Sequence, residues 1–228
     1  MMLPAWANAA ILGCMLLSNA ALGRRIGARS RQLDSALTPA GPAFATWGVI
    51  YALLAMAVLD DGADARAQLG VWFALSSLCS IGWLAVFTLG SIERGDVRWA
   101  AALLLQMAAA CAMPLVRPGA AAVGVWAHLA RAGLSVYAGW LVAAAALGTA
   151  IAAGVPPTAP RLWRGAAWLA LLAAPGAGSV ALRDPALVAP VAWAAFGRAA
   201  WGDGVAAAAC AAGVATAIGA GVARAVDA

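Results

Sequence analysis

The sequence predicts an all-α protein that crosses a membrane several times as a polytopic helix bundle. Hydrophobic residues make up 65% of the 228 residues, charged residues make up 10%, and the mean hydropathy is +0.89. A soluble domain carries roughly 25% charged residues. The apolar residues fall into runs of about the 20 residues that one helix needs to cross a hydrocarbon core of roughly 30 Å. Membrane-spanning helices are therefore the expected architecture.

Eight apolar runs between charged residues define the predicted spans. The first run is expected to be a retained helix rather than a signal peptide, because no basic residue precedes it and two arginines follow it. The seventh run is short, contains Pro190 and is flanked by charged residues on both sides. The predicted spans are 3–23, 42–59, 67–92, 99–116, 132–155, 165–182, 186–201 and 204–223.

The 14 basic residues are all arginine, and they predict the orientation of the bundle. If eight spans cross, the side that holds the loop 24–41 collects nine arginines and the other side collects five. The loop 24–41 should therefore face the cytoplasm or its organellar equivalent, with both termini on the opposite side. The membrane is a bacterial inner membrane or an organelle membrane, thylakoid or mitochondrial. No basic stripe with interleaved aromatics occurs, so nucleic acid is not an expected partner.

The chain lacks the residue patterns of hydrolytic, metal and transport chemistry. It has one histidine and no G-x-S-x-G motif, so we expect no catalytic residues and no enzymatic activity. Its four cysteines lie in apolar runs without C-x-x-C spacing, which predicts free thiols and no metal site. Transport is the least favoured function, because no carboxylate lies within a predicted span.

The single histidine, His128, lies between the fourth and fifth predicted spans. We expect it in an interfacial loop or a short surface helix. The alternative is an axial ligand for a haem or a chlorophyll, because a neutral imidazole beside an apolar wall suits a tetrapyrrole metal. Arg131 opens the fifth span and is expected to extend toward the lipid headgroups.

Small residues recur every fourth position along the last predicted span, at Ala209, Gly213, Ala217 and Gly221. Such a stripe lets two helix backbones approach closely in lipid, where packing drives association. It predicts a tight helix contact. The partner is either a helix of this chain or a second copy in a homodimer.

The most specific motif is the segment 37–51, with the sequence LTPAGPAFATWGVIY. Its proline and glycine residues set the start of the second span. On a helix, Phe44, Trp47 and Tyr51 recur at i, i+3 and i+7 and share one face. Such a face serves either as core packing or as the wall of a site for a flat apolar ligand.

This motif resembles the start of the second helix in the tryptophan-rich sensory protein and translocator protein family, TspO/MBR, most closely in its longer bacterial and algal relatives. The segment 74–87 is similar to the third helix of that family, with Trp83 and Phe87 in its aromatic positions. Tyr137 and Trp140 match the Y-x-x-W element of its fifth helix.

Three positions depart from the family pattern. Pro42 replaces a tryptophan that precedes the phenylalanine of the second helix. Ser80 and Gly148 stand where the family has asparagines in the third and fifth helices. The polar groups that contact ligands in the short members of the family are thus partly replaced.

The resemblance implies a five-helix transmembrane core over residues 1–155 and about three additional helices over 156–228. It further implies a cavity that opens toward the loop 24–41 and binds a lipophilic small molecule, a porphyrin or other tetrapyrrole or a sterol. The function so implied is a receptor that binds or senses this ligand without catalysis. The implied cavity wall consists of Phe44, Trp47, Tyr51, Trp83, Tyr137 and Trp140.

A second hypothesis places the protein in a large membrane assembly. The same bundle would then be a structural or pigment-binding accessory subunit of a photosynthetic or respiratory supercomplex, with a pigment on His128. Short loops and small-residue helix faces favour this hypothesis.

Overall fold

A computed structural model describes residues 3–59, 63–90, 96–115, 124–200 and 202–226, and these residues form eight α-helices and no strand. A short 3-10 helix, Gly41–Ala45, precedes the second helix, and another, Pro185–Leu187, precedes the seventh. The helices are α1 (Ala5–Gln32), α2 (Thr46–Leu59), α3 (Ala63–Leu89), α4 (Asp96–Ala112), α5 (Gly124–Ala152), α6 (Arg161–Leu182), α7 (Ala189–Ala199) and α8 (Gly204–Val226).

Six of these helices are long and apolar enough to cross a membrane, so the predicted polytopic bundle is confirmed and the protein is an integral membrane protein. They are α1, α2 with its preceding 3-10 turn, α3, α5, α6 and α8. The other two are shorter: α4 has 17 residues and α7 has 11. At 1.5 Å per residue, α7 is about 16 Å long, roughly half of a hydrocarbon core, so the segment predicted at 186–201 does not span as one helix.

Contacts between distant parts of the chain define one end of the bundle, which we call the loop end. The ends of α1, α3 and α7 gather there with the starts of α6 and α8 and with the connection 33–40. Three contacts hold these segments: Arg29 Nη2 to Gly90 O at 2.8 Å, Ala40 N to Gly197 O at 3.2 Å, and Arg164 Nε to Asp203 Oδ2 at 3.5 Å. Since α1 ends and α8 begins at this end, the start of α1 and the end of α8 point away from it.

Proline and glycine mark several helix boundaries. Pro4 and Pro160 directly precede α1 and α6, and Pro190 lies in the first turn of α7. Proline suits these positions because its missing N–H would have no helical partner there. Past the end of α5, Gly154 adopts φ 69°, the left-handed conformation that glycine accepts without steric cost. Gly70, with φ 55° and ψ −163°, breaks the regular geometry of α3.

Two helices, α1 and α5, extend furthest beyond their predicted spans. α1 continues to Gln32, so Arg24, Arg25 and Arg29 lie on a helix rather than in a loop. α5 begins at Gly124 rather than near 132. The predicted ends followed the limits of the apolar runs, but arginine is a good helix former and a helix continues past the apolar region.

One expectation for the start of α5 is therefore wrong. His128 lies in the first turns of this long helix, not in a loop or a separate surface helix. Arg131, on the same helix, pairs with a carboxylate. Its Nε lies 3.8 Å from Oδ2 of Asp184, and its side chain is 19% exposed.

Of the C-terminal helices, α6 and α7 pack against α5, and α8 packs against α6 and α7. At Gly139 of α5, an added Cβ would collide with the carbonyl oxygen of Leu187, so the glycine lets the segment before α7 lie against the α5 backbone. At Gly213 of α8, an added Cβ would lie 2.7 Å from the Cβ of Ala192 in α7. The small-residue stripe of α8 thus makes its close contact within this chain.

A buried carboxylate, Asp203, joins the C-terminal helices to the connection 33–40. Its Oδ1 caps α8 by accepting the N–H groups of Val205 and Ala206 at 3.1 and 3.4 Å. Its Oδ2 lies 3.5 Å from Arg164 Nε and 3.7 Å from Arg198 Nε. Arg198 also donates from Nη1 to the carbonyl oxygen of Thr38 at 3.3 Å.

A second buried carboxylate, Asp184, holds the opposite end of α7. It accepts the hydroxyl of Ser135 at 2.7 Å and the N–H of Ala186 at 3.1 Å, besides its ion pair with Arg131. The sequence marked both aspartates only as flanks of an apolar run. Their burial depends on the arginines and the serine that other helices bring to them.

The four cysteines are free thiols in four different helices, α1, α3, α4 and α8. Cys111 is fully buried, and its Sγ lies 3.4 Å from the carbonyl oxygen of Leu134, to which it donates.

Candidate functional site

A cavity of about 830 Å³ lies in the loop-end half of the bundle. Within the described residues, every helix except α8 contributes to its wall. The volume lies within the range of roughly 300–1,000 Å³ that is typical of small-molecule sites. The connection 33–40 and the end of α1 form the part of the wall nearest the loop end.

Four of the six aromatic residues predicted for the site line this cavity: Phe44, Trp47, Trp83 and Trp140. The edge of Phe44 meets the ring of Trp140 at a centroid distance of 5.9 Å and an interplanar angle of 87°. Trp47 meets Trp140 at 6.3 Å and 85°. These edge-to-face contacts join the second and fifth helices and fix the ring planes on one side of the cavity.

The other two predicted residues, Tyr51 and Tyr137, do not line the cavity but pack against Trp47. Tyr51 stacks on it at 5.7 Å and 27°, and Tyr137, which is fully buried, meets it at 5.9 Å and 64°. The two tyrosines therefore support the orientation of Trp47 rather than forming the wall themselves.

Two further aromatic residues of the wall were not among the predicted site residues. Phe87 stacks on Trp83 at 5.3 Å and 17° in α3. Trp168 of α6 is only 2% exposed and lines the cavity from the C-terminal segment. The motifs that carry the resemblance lie in α2, α3 and α5, and none lies in α6. Trp168 is an isolated tryptophan in an alanine-rich helix, so its sequence surroundings do not indicate that it faces a cavity.

One face of α1 forms another part of the wall that the sequence analysis missed. Its lining residues recur at helical spacing: Asn19, Gly23, Ile26, Gly27 and Ser30. A Cβ built on Gly23 would meet no atom within 4 Å, so the glycine borders open space.

The cavity wall is mostly apolar, and its polar groups are the indole N–H groups of its tryptophans and a few side chains toward the loop end. The side-chain amide of Asn19 donates to the carbonyl oxygen of Met15 at 3.0 Å. Asp34 Oδ1 and Thr38 Oγ1 both accept from the backbone N–H of Ser35, at 2.8 and 3.0 Å. Apolar walls with a small number of placed polar groups are typical of ligand sites.

His128 does not line the cavity. It is exposed near the start of α5, where its Nδ1 lies 2.8 Å from the carbonyl oxygen of Gly124. The cavity-lining residues of α5 begin at Trp140, twelve residues or about 18 Å further along the helix. An axial-ligand role for His128, which stays a prediction, would therefore concern a different site.

The structure locates the three positions that depart from the family pattern. Gly148 lines the cavity, and an added Cβ there would lie 3.0 Å from Leu104, so glycine allows α4 to approach α5. Ser80 is buried in α3, and Pro42 lies in the 3-10 turn before α2.

The groups on the cavity wall are suited to binding a ligand. In the part of the chain that the structure describes, no three histidine, cysteine, aspartate or glutamate side chains form a group that could hold a metal ion. The aromatic faces offer stacking and apolar burial to a flat ligand.

A comparison with family models identifies the relatives of this chain. The model described as TSPO-like protein matches residues 2–223, which include both the aromatic motifs of α2, α3 and α5 and the C-terminal helices. No curated protein and no solved structure matches the chain. With a match over nearly its whole length, the chain belongs to the TSPO-like protein family.

Proposed function

We propose that this protein is a non-enzymatic receptor that binds a flat lipophilic molecule, of the tetrapyrrole or sterol class, in the loop-end cavity. The observation that carries this proposal is the cavity of about 830 Å³ whose wall includes Phe44, Trp47, Trp83 and Trp140. Its position inside a membrane-spanning bundle suits a ligand that partitions into lipid.

Apolar burial would supply most of the affinity. Each Å² of apolar surface removed from water contributes roughly 25 cal/mol, and well-placed aromatic contacts add about 0.5–1.5 kcal/mol each. The rings around Trp47 are already held by mutual contacts at centroid distances of 5.7–6.3 Å. Because the wall is ordered before binding, little side-chain entropy remains to be lost when the ligand enters.

Binding without catalysis fits the groups on the wall. General acid–base or nucleophilic catalysis needs a nucleophile beside a base of suitable pKa. Besides the indole N–H groups of its tryptophans, the described polar side chains at the cavity are Asn19, Ser30, Asp34 and Thr38, and the single histidine lies at the other end of α5.

The proposal is tested by ligand titration of the protein in lipid nanodiscs. The probe is protoporphyrin IX dimethyl ester, a flat metal-free macrocycle without charge, with cholesterol as the competitor. We expect saturable binding that Trp47→Ala weakens and that Trp99→Ala leaves unchanged, because Trp99 is 69% exposed and outside the cavity. Trp140→Ala and Trp126→Ala form a second matched pair within α5. Equal binding by protein and empty nanodiscs, or equal loss in both members of each pair, would rule out the cavity as the site.

A second candidate function, a pigment-binding subunit of a membrane supercomplex, rests on His128. A carbonyl oxygen only accepts, so the contact with Gly124 requires a proton on Nδ1 and leaves the Nε2 lone pair of the neutral ring available to a metal. The neighbouring Val125 and Trp126 are exposed and could meet a partner. Native-gel migration of solubilised membranes tests this function: a subunit moves with a large complex and its pigment absorption, and His128→Ala removes that absorption.

A further inference from the structure

We infer that the ligand of the loop-end cavity bears carbonyl oxygens on its flat apolar frame, and that indole N–H groups of the cavity wall donate hydrogen bonds to them. The inference rests on the proposed function, because it names the polar chemistry of the ligand in the same cavity. It follows from the wall tryptophans whose N–H groups are buried without a partner.

Three tryptophans among the described residues have a buried indole N–H without a hydrogen-bond partner: Trp83, Trp140 and Trp168. All three line the cavity. Trp140 and Trp168 are almost completely buried, at 3% and 2% exposed. The three side chains come from α3, α5 and α6, so the unpaired donors surround one cavity from three helices.

Tryptophans elsewhere in the described chain have access to an acceptor. Trp193 of α7, which does not line the cavity, donates from Nε1 to the carbonyl oxygen of Ala43 at 3.1 Å. Trp99 and Trp126 are exposed, so water or lipid headgroups can accept from their N–H groups. The combination of burial and an unpaired indole N–H therefore belongs to the cavity wall.

An indole N–H only donates, so each of the three unpaired groups needs an acceptor. A buried donor without a partner is costly, and such a group in a native structure calls for an explanation. On the wall itself, Asp34 Oδ1 and Thr38 Oγ1 accept from the N–H of Ser35. An acceptor that the ligand brings into the cavity would complete the pairing of the indoles.

A carbonyl oxygen suits these donors because it accepts through two lone pairs and has no hydrogen of its own. Within the hydrocarbon of the bilayer it has no donor, so it gains a hydrogen bond in the cavity without losing one to water. An ammonium group only donates and would leave the three indoles unpaired. Because the donors lie on three helices, separate carbonyl groups of one ligand can each meet a donor.

Two porphyrins without charge or metal test the inference by titration in nanodiscs. Mesoporphyrin IX dimethyl ester carries two ester carbonyls, and etioporphyrin carries alkyl groups only. The ester should bind at least roughly fivefold more tightly, the effect of one hydrogen bond to a buried donor. Cholestan-3-one and cholestane form a second pair, a ketone and its parent hydrocarbon. The pair that shows the difference identifies the frame of the ligand as a tetrapyrrole or a steroid.

Trp168→Phe and Trp140→Phe keep an aromatic ring and remove the N–H. Each should lower the ratio of carbonyl-ligand affinity to hydrocarbon affinity roughly fivefold. Because the ratios of wild type and variant are compared within one pair, the partitioning of each ligand into lipid cancels. Trp126→Phe is the matched control, since it changes an exposed ring on α5, and it should leave the ratio unchanged.

The indole nitrogen–proton resonances of the wild-type protein give a readout that ring packing alone would not move. The signals of Trp168 and Trp140 are assigned by their loss in the two phenylalanine variants. Both members of a pair have the same frame, so the difference between them reports the carbonyl group. With the carbonyl ligand, the indole proton signals should lie further downfield than with the hydrocarbon.

The outcomes separate this inference from the proposed function. If all ligands bind saturably but the ratios are equal in wild type and variants, the inference is overturned while the cavity remains the site. A ratio that falls in the variants without a difference in the indole signals would show an effect of ring size, and it also overturns the inference. If no ligand binds saturably, or if Trp47→Ala affects none of them, the proposed function itself is overturned.

Discussion

The loop-end cavity and the C-terminal segment are formed by different types of residue. Around the cavity, aromatic rings of the second, third and fifth helices surround open space and touch one another at centroid distances of 5.3–6.3 Å. In α6 to α8, alanine and glycine bring the backbones together, and two buried aspartates hold both ends of α7. The first region surrounds a cavity, and in the second the backbones of α7 and α8 lie in close contact at Gly213 and Ala192.

The difference indicates that binding and stability depend on largely separate residues. A ring on the cavity wall borders empty space, so its loss removes a surface for a ligand without unpairing a charge. Each buried aspartate has two arginine or serine partners. Its loss leaves those polar groups without the carboxylate in a poorly hydrated environment, which is energetically unfavourable. Trp168 and Ala194 connect the regions, since they belong to the C-terminal segment and also line the cavity.

The largest expected effect is on stability, from Asp203→Ala. It leaves Arg164 and Arg198 without their shared carboxylate and removes the cap of α8, which should cost about 3–5 kcal/mol. Asp203→Asn keeps a capping oxygen and should lose less. Thermal unfolding of the monodisperse protein in detergent measures both, and an unchanged melting temperature in Asp203→Ala would show that this cluster does not hold the C-terminal segment.

The next effect is a loss of binding without loss of stability, from Gly23→Phe. The new side chain would project from the open side of α1 into the cavity, where it should lower affinity for the porphyrin ester roughly 100-fold, or about 2.7 kcal/mol. Gly13→Phe is the matched control, because Gly13 lies on the same helix, also borders open space and does not line the cavity. Equal affinities in the two variants, measured by titration in nanodiscs, would contradict the assignment of α1 to the wall.

A smaller loss is expected when one ring is removed from the wall. Trp47→Ala or Trp140→Ala should weaken the porphyrin ester by about 1–3 kcal/mol, a roughly 5- to 150-fold change. Trp99→Ala and Trp126→Ala, which remove exposed rings, should stay within about twofold. Loss of binding in the exposed variants as well would mean that the probe associates with the protein surface.

The smallest effect is expected from His128→Ala. Since His128 lies about 18 Å along α5 from the nearest lining residue of that helix, the affinity for a metal-free porphyrin should change by less than about twofold. The same titration measures it. Binding lost in this variant alone would move the site to the start of α5 and favour the pigment-binding subunit.

The sequence alone determined the helical bundle, because the hydropathy and length of each run depend only on local residues. The aromatic stripe at Phe44 and Trp47 and the motifs around Trp83 and Trp140 were also sufficient to place four residues that share one cavity. The spacing of residues along a helix shows which side chains share a face. The family resemblance indicates which helices lie next to one another.

Only the tertiary structure decided which faces meet and which charges pair. Tyr51 and Tyr137 carry the same motif signals as their neighbours, yet they lie behind Trp47 because that ring occupies the space at the wall. Trp168 reaches the cavity and Thr38 meets Arg198 across 160 residues of sequence, contacts that no local pattern encodes. A buried aspartate differs from a loop aspartate through the partners that other helices bring to it, and those partners are set by packing.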